Sequence, residues 1–252
     1  MSTRSERRRA AQGKGGGSDM KKLYLILGAV AVIGVGAVGY SVGRGSGGAA
    51  TQPVPMPGIE DDMQRLAELA QGVVKGDENA PVTIIEFGDY QCPGCGGFAM
   101  SVKPQVELAL VETGQAKFVF YDFPLVTIHP NAFIAARAAR CADDQDLFWE
   151  FHDSLFRNQP SWSAEANPMG SFRNYAETIG LDDETFVACV NSDRHADLVS
   201  ANMQLGAALG VSGTPTLLVE SGGQVRRLNN VDYQSIAEAV QSFSEGEGPS
   251  GN

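Results

Sequence analysis

The chain has 252 residues, 43% of them hydrophobic and 19% charged, a composition that supports a sizeable core and excludes global disorder. Thirty acidic against nineteen basic residues leave a net charge of −11, which argues against nucleic acid as a partner, because a phosphate backbone asks for a basic face. Four cysteines (Cys92, Cys95, Cys141 and Cys189) are too few for a disulfide-stapled miniprotein.

The charge is unevenly placed. Residues 1–22 hold seven basic and two acidic side chains, a local +5 that leaves −16 for the remainder. Leu23 to Val42 is then a run of twenty uncharged, mainly apolar residues, long enough to cross a bilayer's hydrocarbon core as a helix. Lys21 and Lys22 abut its start, so the positive-inside rule predicts a basic cytoplasmic segment over 1–22 and a transmembrane anchor over 23–43. Everything after the anchor is then extracytoplasmic, in a single-pass protein of the cytoplasmic membrane. A cleaved signal peptide is the alternative, but its apolar core usually spans about 7–15 residues and ends in a small-residue cleavage site. Here the run is longer and no Ala-x-Ala follows it.

Residues 44–58 are rich in Gly, Ala and Pro and read as a tether, flexible first and then stiffer. Ile59, Met63, Leu66, Ala70 and Val73 recur at helical spacing, predicting a short amphipathic helix over 59–74 that Gly72 and Gly76 end. Val82-Thr-Ile-Ile-Glu-Phe87 is apolar on both faces, as in a strand covered on both sides. Phe98, Val102, Val106 and Leu110 mark a helix kinked at Pro104, where proline lacks the N–H for the preceding turn. Lys117 to Tyr121 is a second buried strand, which completes a βαβ unit with a parallel pair. From Asn131 to about Leu209 the pattern is helical throughout, with Asp146, Ser171, Asp182 and Asp193 as candidate caps and Gly180 and Gly210 as stops. The aromatic residues Phe148, Trp149, Phe151 and Phe156 read as packing for this block. Thr216 to Glu220 and Val225 to Leu228 form an antiparallel hairpin, and Ile236, Ala239, Val240 and Phe243 a closing helix. Residues 244–252 read as a disordered tail.

The chemistry gathers at Cys92-Pro-Gly-Cys95. Cys92 follows the first strand through Gly88-Asp-Tyr-Gln91 and opens the helix, with Pro93 at the first helical position. Free backbone N–H groups and the positive end of the helix dipole stabilise a thiolate there. Such a site lowers a cysteine pKa from ~8.5 to roughly 3.5–7.5. Cys95 lies one turn on, within reach of a reducible disulfide, so the pair reads as a redox dithiol in which Cys92 attacks and Cys95 resolves. Zinc and copper sites also use such pairs, but Cys141 and Cys189 are 48 positions apart with no ligand partner nearby, and His129, His152 and His195 are scattered. Each histidine reads as structural or surface, and no metal or cofactor is expected.

The run Val82-Thr-Ile-Ile-Glu-Phe-Gly-Asp-Tyr-Gln-Cys-Pro-Gly-Cys95, with Val211-Ser-Gly-Thr-Pro-Thr216 far downstream, resembles the DsbA-like thiol–disulfide oxidoreductases of the thioredoxin-fold family. The resemblance covers residues 75–243 and implies an α/β thioredoxin-like fold, βαβ then ββα, with a large helical insertion at about 130–210. It implies that Pro215 is the cis-proline beside the dithiol, supported by Pro93 and Gly94. It implies that the backbone of Thr214 pairs with a bound substrate chain as an added strand. It matches Glu86 to a buried acid beneath the site, able to relay protons to Cys95; a satisfied glutamate at a sheet edge is the other possibility for that residue. The dipeptide is Pro-Gly rather than Pro-His, which leaves the direction of net flux open. In an exported, oxidising compartment Cys141 and Cys189 are expected to form a structural disulfide, two buried free thiols being the alternative.

The implied function is to introduce disulfides into exported client proteins, with a membrane redox partner that reoxidises the dithiol. A reductase or isomerase of the same fold, or a copper chaperone using the same cysteine pair, are the competing readings.

Overall fold

The computed structural model describes residues 50–59 and 62–245; the basic segment, the apolar run 23–43 and residues 246–252 lie outside them. Among the described residues no helix is long and apolar enough to cross a membrane. The elements are α1 (Met63–Leu69), β1 (Val73–Lys75), β2 (Val82–Gly88), α2 (Pro93–Ser101), α3 (Lys103–Val106), β3 (Ala116–Asp122), α4 (Ala132–Asp143) and α5 (Phe148–Arg157). They continue with α6 (Gln159–Trp162), α7 (Met169–Ile179), α8 (Asp183–Asn191), α9 (Ala196–Ala208), β4 (Thr216–Ser221), β5 (Gln224–Arg227) and α10 (Tyr233–Ser244). A π-helical turn, Glu107–Val111, extends α3.

The five strands lie in the order β1-β3-β2-β4-β5. β2 and β3 are parallel, joined across α2 and α3, while β4 runs antiparallel to β2 and β5 antiparallel to β4. β2 is therefore central, and the β-branched run that builds it has partners on both sides. The β-strand 73–75 corrects the expected helix over 59–74. That helix spans only Met63–Leu69, and Val73, whose spacing continued the helical pattern, instead pairs with Phe120 on β3. Gly72 needs its lack of a side chain, since a Cβ there would lie 2.4 Å from Val119 Cγ1.

The tether expected over 44–58 is seated over its described part. Ala50 N–H donates to Asp193, Val54 N–H to Ser200 Oγ, and the buried Arg137 guanidinium to the Ala50 carbonyl. Ile59 packs with Leu66, Ala70 and Ala201, fastening α1 to α9.

α2 and α3 part at Val102, just ahead of Pro104, where the expected kink falls. Asp182 caps α8 by accepting from Thr185 N–H, and Gly180 closes α7 in the left-handed region at φ 88°. Three other cap expectations are corrected. Asp146 and Asp193 adopt positive φ in turns before the helix starts, a conformation short polar side chains tolerate. Ser171 lies inside α7, where its hydroxyl donates to Glu165.

In the helical block α4–α9, Phe148, Phe151, Phe156 and Trp162 are all buried; Phe148 meets Phe120 of β3, while Phe151 and Trp162 pack on Phe172 of α7 within the block. His152 is fully buried among Tyr90, Phe120, Phe148 and Phe156, and burial pushes its pKa down to about 4. Within the block Cys141 of α4 and Cys189 of α8 form a disulfide. A second, smaller core of Phe87, Phe123, Val211 and Leu218 covers the opposite face of the sheet.

Candidate active site: the Cys92–Cys95 dithiol

Strand β2 carries the chain outward to Gly88, and the turn 89–91 delivers Cys92 to the start of α2. Cys92 is the N-cap and Pro93 the first helical residue, so the unpaired N–H groups of the first turn open beside Cys92. Cys92 is partly exposed and Cys95 fully buried, both as free thiols. The Cys92 pKa falls to about 5. A hydrogen bond from the Cys95 thiol is the main cause; burial opposes it, while Thr214 and the backbone N–H groups of Cys95 and Gly94 assist. The Cys95 thiol moves the other way, well above its ordinary value, because burial and then its bond to Cys92 disfavour a charge there. One sulfur is a thiolate at neutral pH and its neighbour a thiol.

The turn ahead of β4 closes the site. The Thr214–Pro215 peptide is cis, and the Cys92 sulfur lies 3.4 Å from the Thr214 carbonyl oxygen. A Cβ at Gly94 would sit 3.3 Å from Pro215 Cδ and 3.6 Å from Cys92 Sγ. Residues separated by about 120 positions in sequence thus meet around one sulfur.

Glu86 lies on the core face of β2 with Val82 and Ile84, all three fully buried. Neither of its carboxyl oxygens has a hydrogen-bond partner among the described residues, and β2 is not an edge strand. Burial raises its pKa to about 8, against the pull of Lys103 and with a smaller push from Cys92. Glu86 is therefore a neutral acid at pH 7, and its charge, when present, raises the Cys95 thiol further. Lys103, itself buried, turns away to Glu107 at 2.7 Å and Asp153 at 3.0 Å.

Cys141 and Cys189 belong to the helical block and take no part in this site. Among the described residues the cluster of three metal-capable side chains is Cys141, Cys189 and His195, and two of these are held in the disulfide.

Several residues that sequence reasoning passed over support the dithiol. Asp89, read only as part of a turn, is buried and accepts from the N–H groups of Gln91 and Leu125 and from His129 Nδ1. Its own N–H points at Cys95 Sγ, 3.4 Å away. Gln91 reaches Ser163 and Asn131, and Gln159 of α6 donates to the carbonyls of Tyr90 and Cys92. No local pattern marks any of these. Each is an ordinary polar residue with at least one partner 36 or more positions away in sequence.

Against this geometry, residues 68–241 match a family model described as thioredoxin. The chain is 31% identical over 177 residues to Disulfide bond formation protein D of Bacillus subtilis, covering 69% of this chain and 77% of that protein. It is 34% identical over 173 residues to a Na(+)/H(+) antiporter NhaA 1 of Salinispora arenicola, covering 69% of this chain; the chain spans 25% of that relative's length. The crystal structure of oxidised BdbD from Bacillus subtilis superposes with a TM-score of 0.62 at 28% identity, over 70% of this chain and 97% of that one. With its dithiol at a helix start, a cis-proline beside it and a helical block inserted between β3 and β4, the chain belongs to the thioredoxin family, in its DsbA-like form.

Proposed function

We propose that this chain is a membrane-tethered, extracytoplasmic thiol–disulfide oxidoreductase that introduces disulfides into exported proteins. The observation that carries this reading is the asymmetry of the two sulfurs: a partly exposed Cys92 with a pKa of about 5 beside a buried Cys95 held protonated. A stabilised Cys92 thiolate favours the dithiol, so the disulfide form is the more readily reduced and acts as an oxidant. A client thiolate attacks Cys92 Sγ, the Cys92–Cys95 bond breaks, and Cys95 leaves with the electron pair and takes a proton. The client's second thiolate then attacks its own sulfur in the mixed disulfide and expels the Cys92 thiolate. Two electrons have passed to the enzyme, and a membrane redox partner removes them. The Thr214 backbone offers an edge for the client chain, as the family resemblance implies. The apolar run 23–43 behind a basic head supports the anchored, extracytoplasmic placement.

The test is the reduction potential of the dithiol, equilibrated against glutathione. A value near the ~−120 mV of strong oxidants supports the proposal, and one near the ~−270 mV of thioredoxin assigns a reductase instead. In the native host, Cys95→Ser is expected to accumulate mixed disulfides through Cys92, visible as high-mass bands that collapse with reductant. Cys92→Ser should show none.

A further inference from the structure

The Asp89–His129 pair is a buried polar arrangement beside the dithiol to which the exchange chemistry above gives no role. Asp89 touches both cysteines through its backbone. Its carbonyl accepts from Cys92 N–H at 3.1 Å and its N–H lies 3.4 Å from Cys95 Sγ. The orientation of that peptide is set by the side chain, whose Oδ1 takes Gln91 N–H at 2.7 Å while Oδ2 takes Leu125 N–H at 2.8 Å and His129 Nδ1 at 2.7 Å. Two of these partners are backbone N–H groups, which can only donate, and in the tautomer that carries its proton on Nδ1 His129 is a third donor to the carboxylate. The Asp89 side chain is fully buried, and an ionised carboxylate at such depth persists only when its lone pairs are filled. His129 comes from the loop between β3 and α4, so the pair also fastens that loop to the active-site turn.

We propose that His129 and Asp89 are positioning residues for the sulfur exchange. Together they hold the Asp89 N–H against Cys95 Sγ, where it receives the negative charge that develops as Cys95 is expelled. This rests on the oxidoreductase reading. In the step concerned the client sulfur bonds to Cys92 Sγ, the Cys92–Cys95 bond breaks, and the electron pair moves onto Cys95, whose thiolate is otherwise strongly disfavoured by burial. A donor already aimed at that sulfur needs no reorganisation when the charge appears. The Cys92 thiolate draws on other groups, so loss of the pair affects the leaving sulfur and spares the attacked one.

The experiment uses the full chain in its disulfide form, reduced by glutathione under rapid acid quench, with His129→Ala, His129→Asn and Asp89→Asn as variants. A side-chain amide of Asn can place an N–H where Nδ1 stands, so His129→Asn is the conservative rescue. His129→Ala is expected to slow reduction about fivefold or more, the worth of one hydrogen bond, with the Cys92 thiolate still titrating near 5. Asp89→Asn should slow it at least as much, and His129→Asn should return to within about twofold of the natural chain. Thermal melts identify any variant that has lost its fold; His129 sits at the edge of the site, and His129→Ala leaves both backbone donors on Asp89. Unchanged rates in folded His129→Ala and Asp89→Asn overturn the proposal, as does a Cys92 titration that moves with them, or a slowed His129→Ala that His129→Asn does not restore. If the natural chain itself fails to exchange with glutathione, the oxidoreductase reading falls instead.

Discussion

Glu86→Gln isolates the effect of burying an ionisable group without changing the shape of the core. In the fold the carboxyl titrates near 8 rather than at the ordinary 4.5. Below 4.5 the folded and unfolded chains both hold the proton, and the residue adds no pH dependence. Between 4.5 and 8 the unfolded chain releases the proton while the fold retains it, so stability falls as pH rises, by about 1.4 kcal/mol per pH unit. Above 8 the loss levels off. At pH 7 the accumulated destabilisation is about 3 kcal/mol, which Glu86→Gln removes. For a domain of this size that is roughly 6–12 °C in melting temperature. Both oxygens of Glu86 already lack partners, so the amide forfeits no hydrogen bond by comparison. Melting curves of the two proteins, both in the dithiol form, at pH 4.5, 6 and 7.5 give the test. The variant should gain steadily with pH and match the parent at pH 4.5. A gap that is the same at all three values would mean that the carboxyl titrates as it does in water, and the burial reasoning would be wrong.

The Cys92 thiolate should appear in an absorbance titration near 240 nm with a midpoint of about 5. Below it the rate of Cys92 attack on a small disulfide should fall tenfold per pH unit; a midpoint above 8 would remove the asymmetry on which the proposed function stands. Replacing Cys141 and Cys189 together by Ala should cost about 2–4 kcal/mol in denaturant unfolding while leaving exchange at Cys92 within about twofold, since the disulfide lies in the helical block. Asp182→Ala, which removes a helix cap, should cost about 1 kcal/mol in the same assay, with exchange unaffected.

The elements easiest to read were those whose pattern repeats along the chain. Val82–Phe87 and Lys117–Tyr121 are β-branched and aromatic on both faces because the sheet is covered twice, and that signal is local. β1 was hidden because three residues carry no period, and Val73 sits as comfortably in the helical spacing of Met63, Leu66 and Ala70 as in its actual pairing with Phe120. The aspartates divided similarly. Asp182 caps a helix, whereas Asp146 and Asp193 use the same short side chain to tolerate positive φ, and nothing adjacent to them distinguishes the two uses. At the site, Cys92 and Cys95 could be placed from their spacing at a helix start, and Pro215 only through the family resemblance, since by itself Gly213-Thr-Pro215 reads as an ordinary turn into a strand. Asp89 and His129 could not, because the pairing of a turn aspartate with a loop histidine forty positions later exists only once β2 and β3 lie side by side.

The contact between α6 and the first turn of α2 bears on how freely such proteins can be recombined. Gln159 donates to the Tyr90 carbonyl, and a Cβ at position 96 would stand 2.6 Å from Gln159 Oε1. The glycine after Cys95 and the glutamine of the helical block are thus two halves of one joint. A chimaera that swaps in the cysteine-bearing helix of a relative with a larger residue at position 96 would push the Gln159 amide aside, and with it the bonds to the Tyr90 and Cys92 carbonyls. One that swaps the block and loses the glutamine would deprive the active-site turn of a donor. The unit of exchange is therefore the motif with its insertion, and a library that shuffles this family at the boundary between them should yield few working recombinants unless positions 96 and 159 travel together.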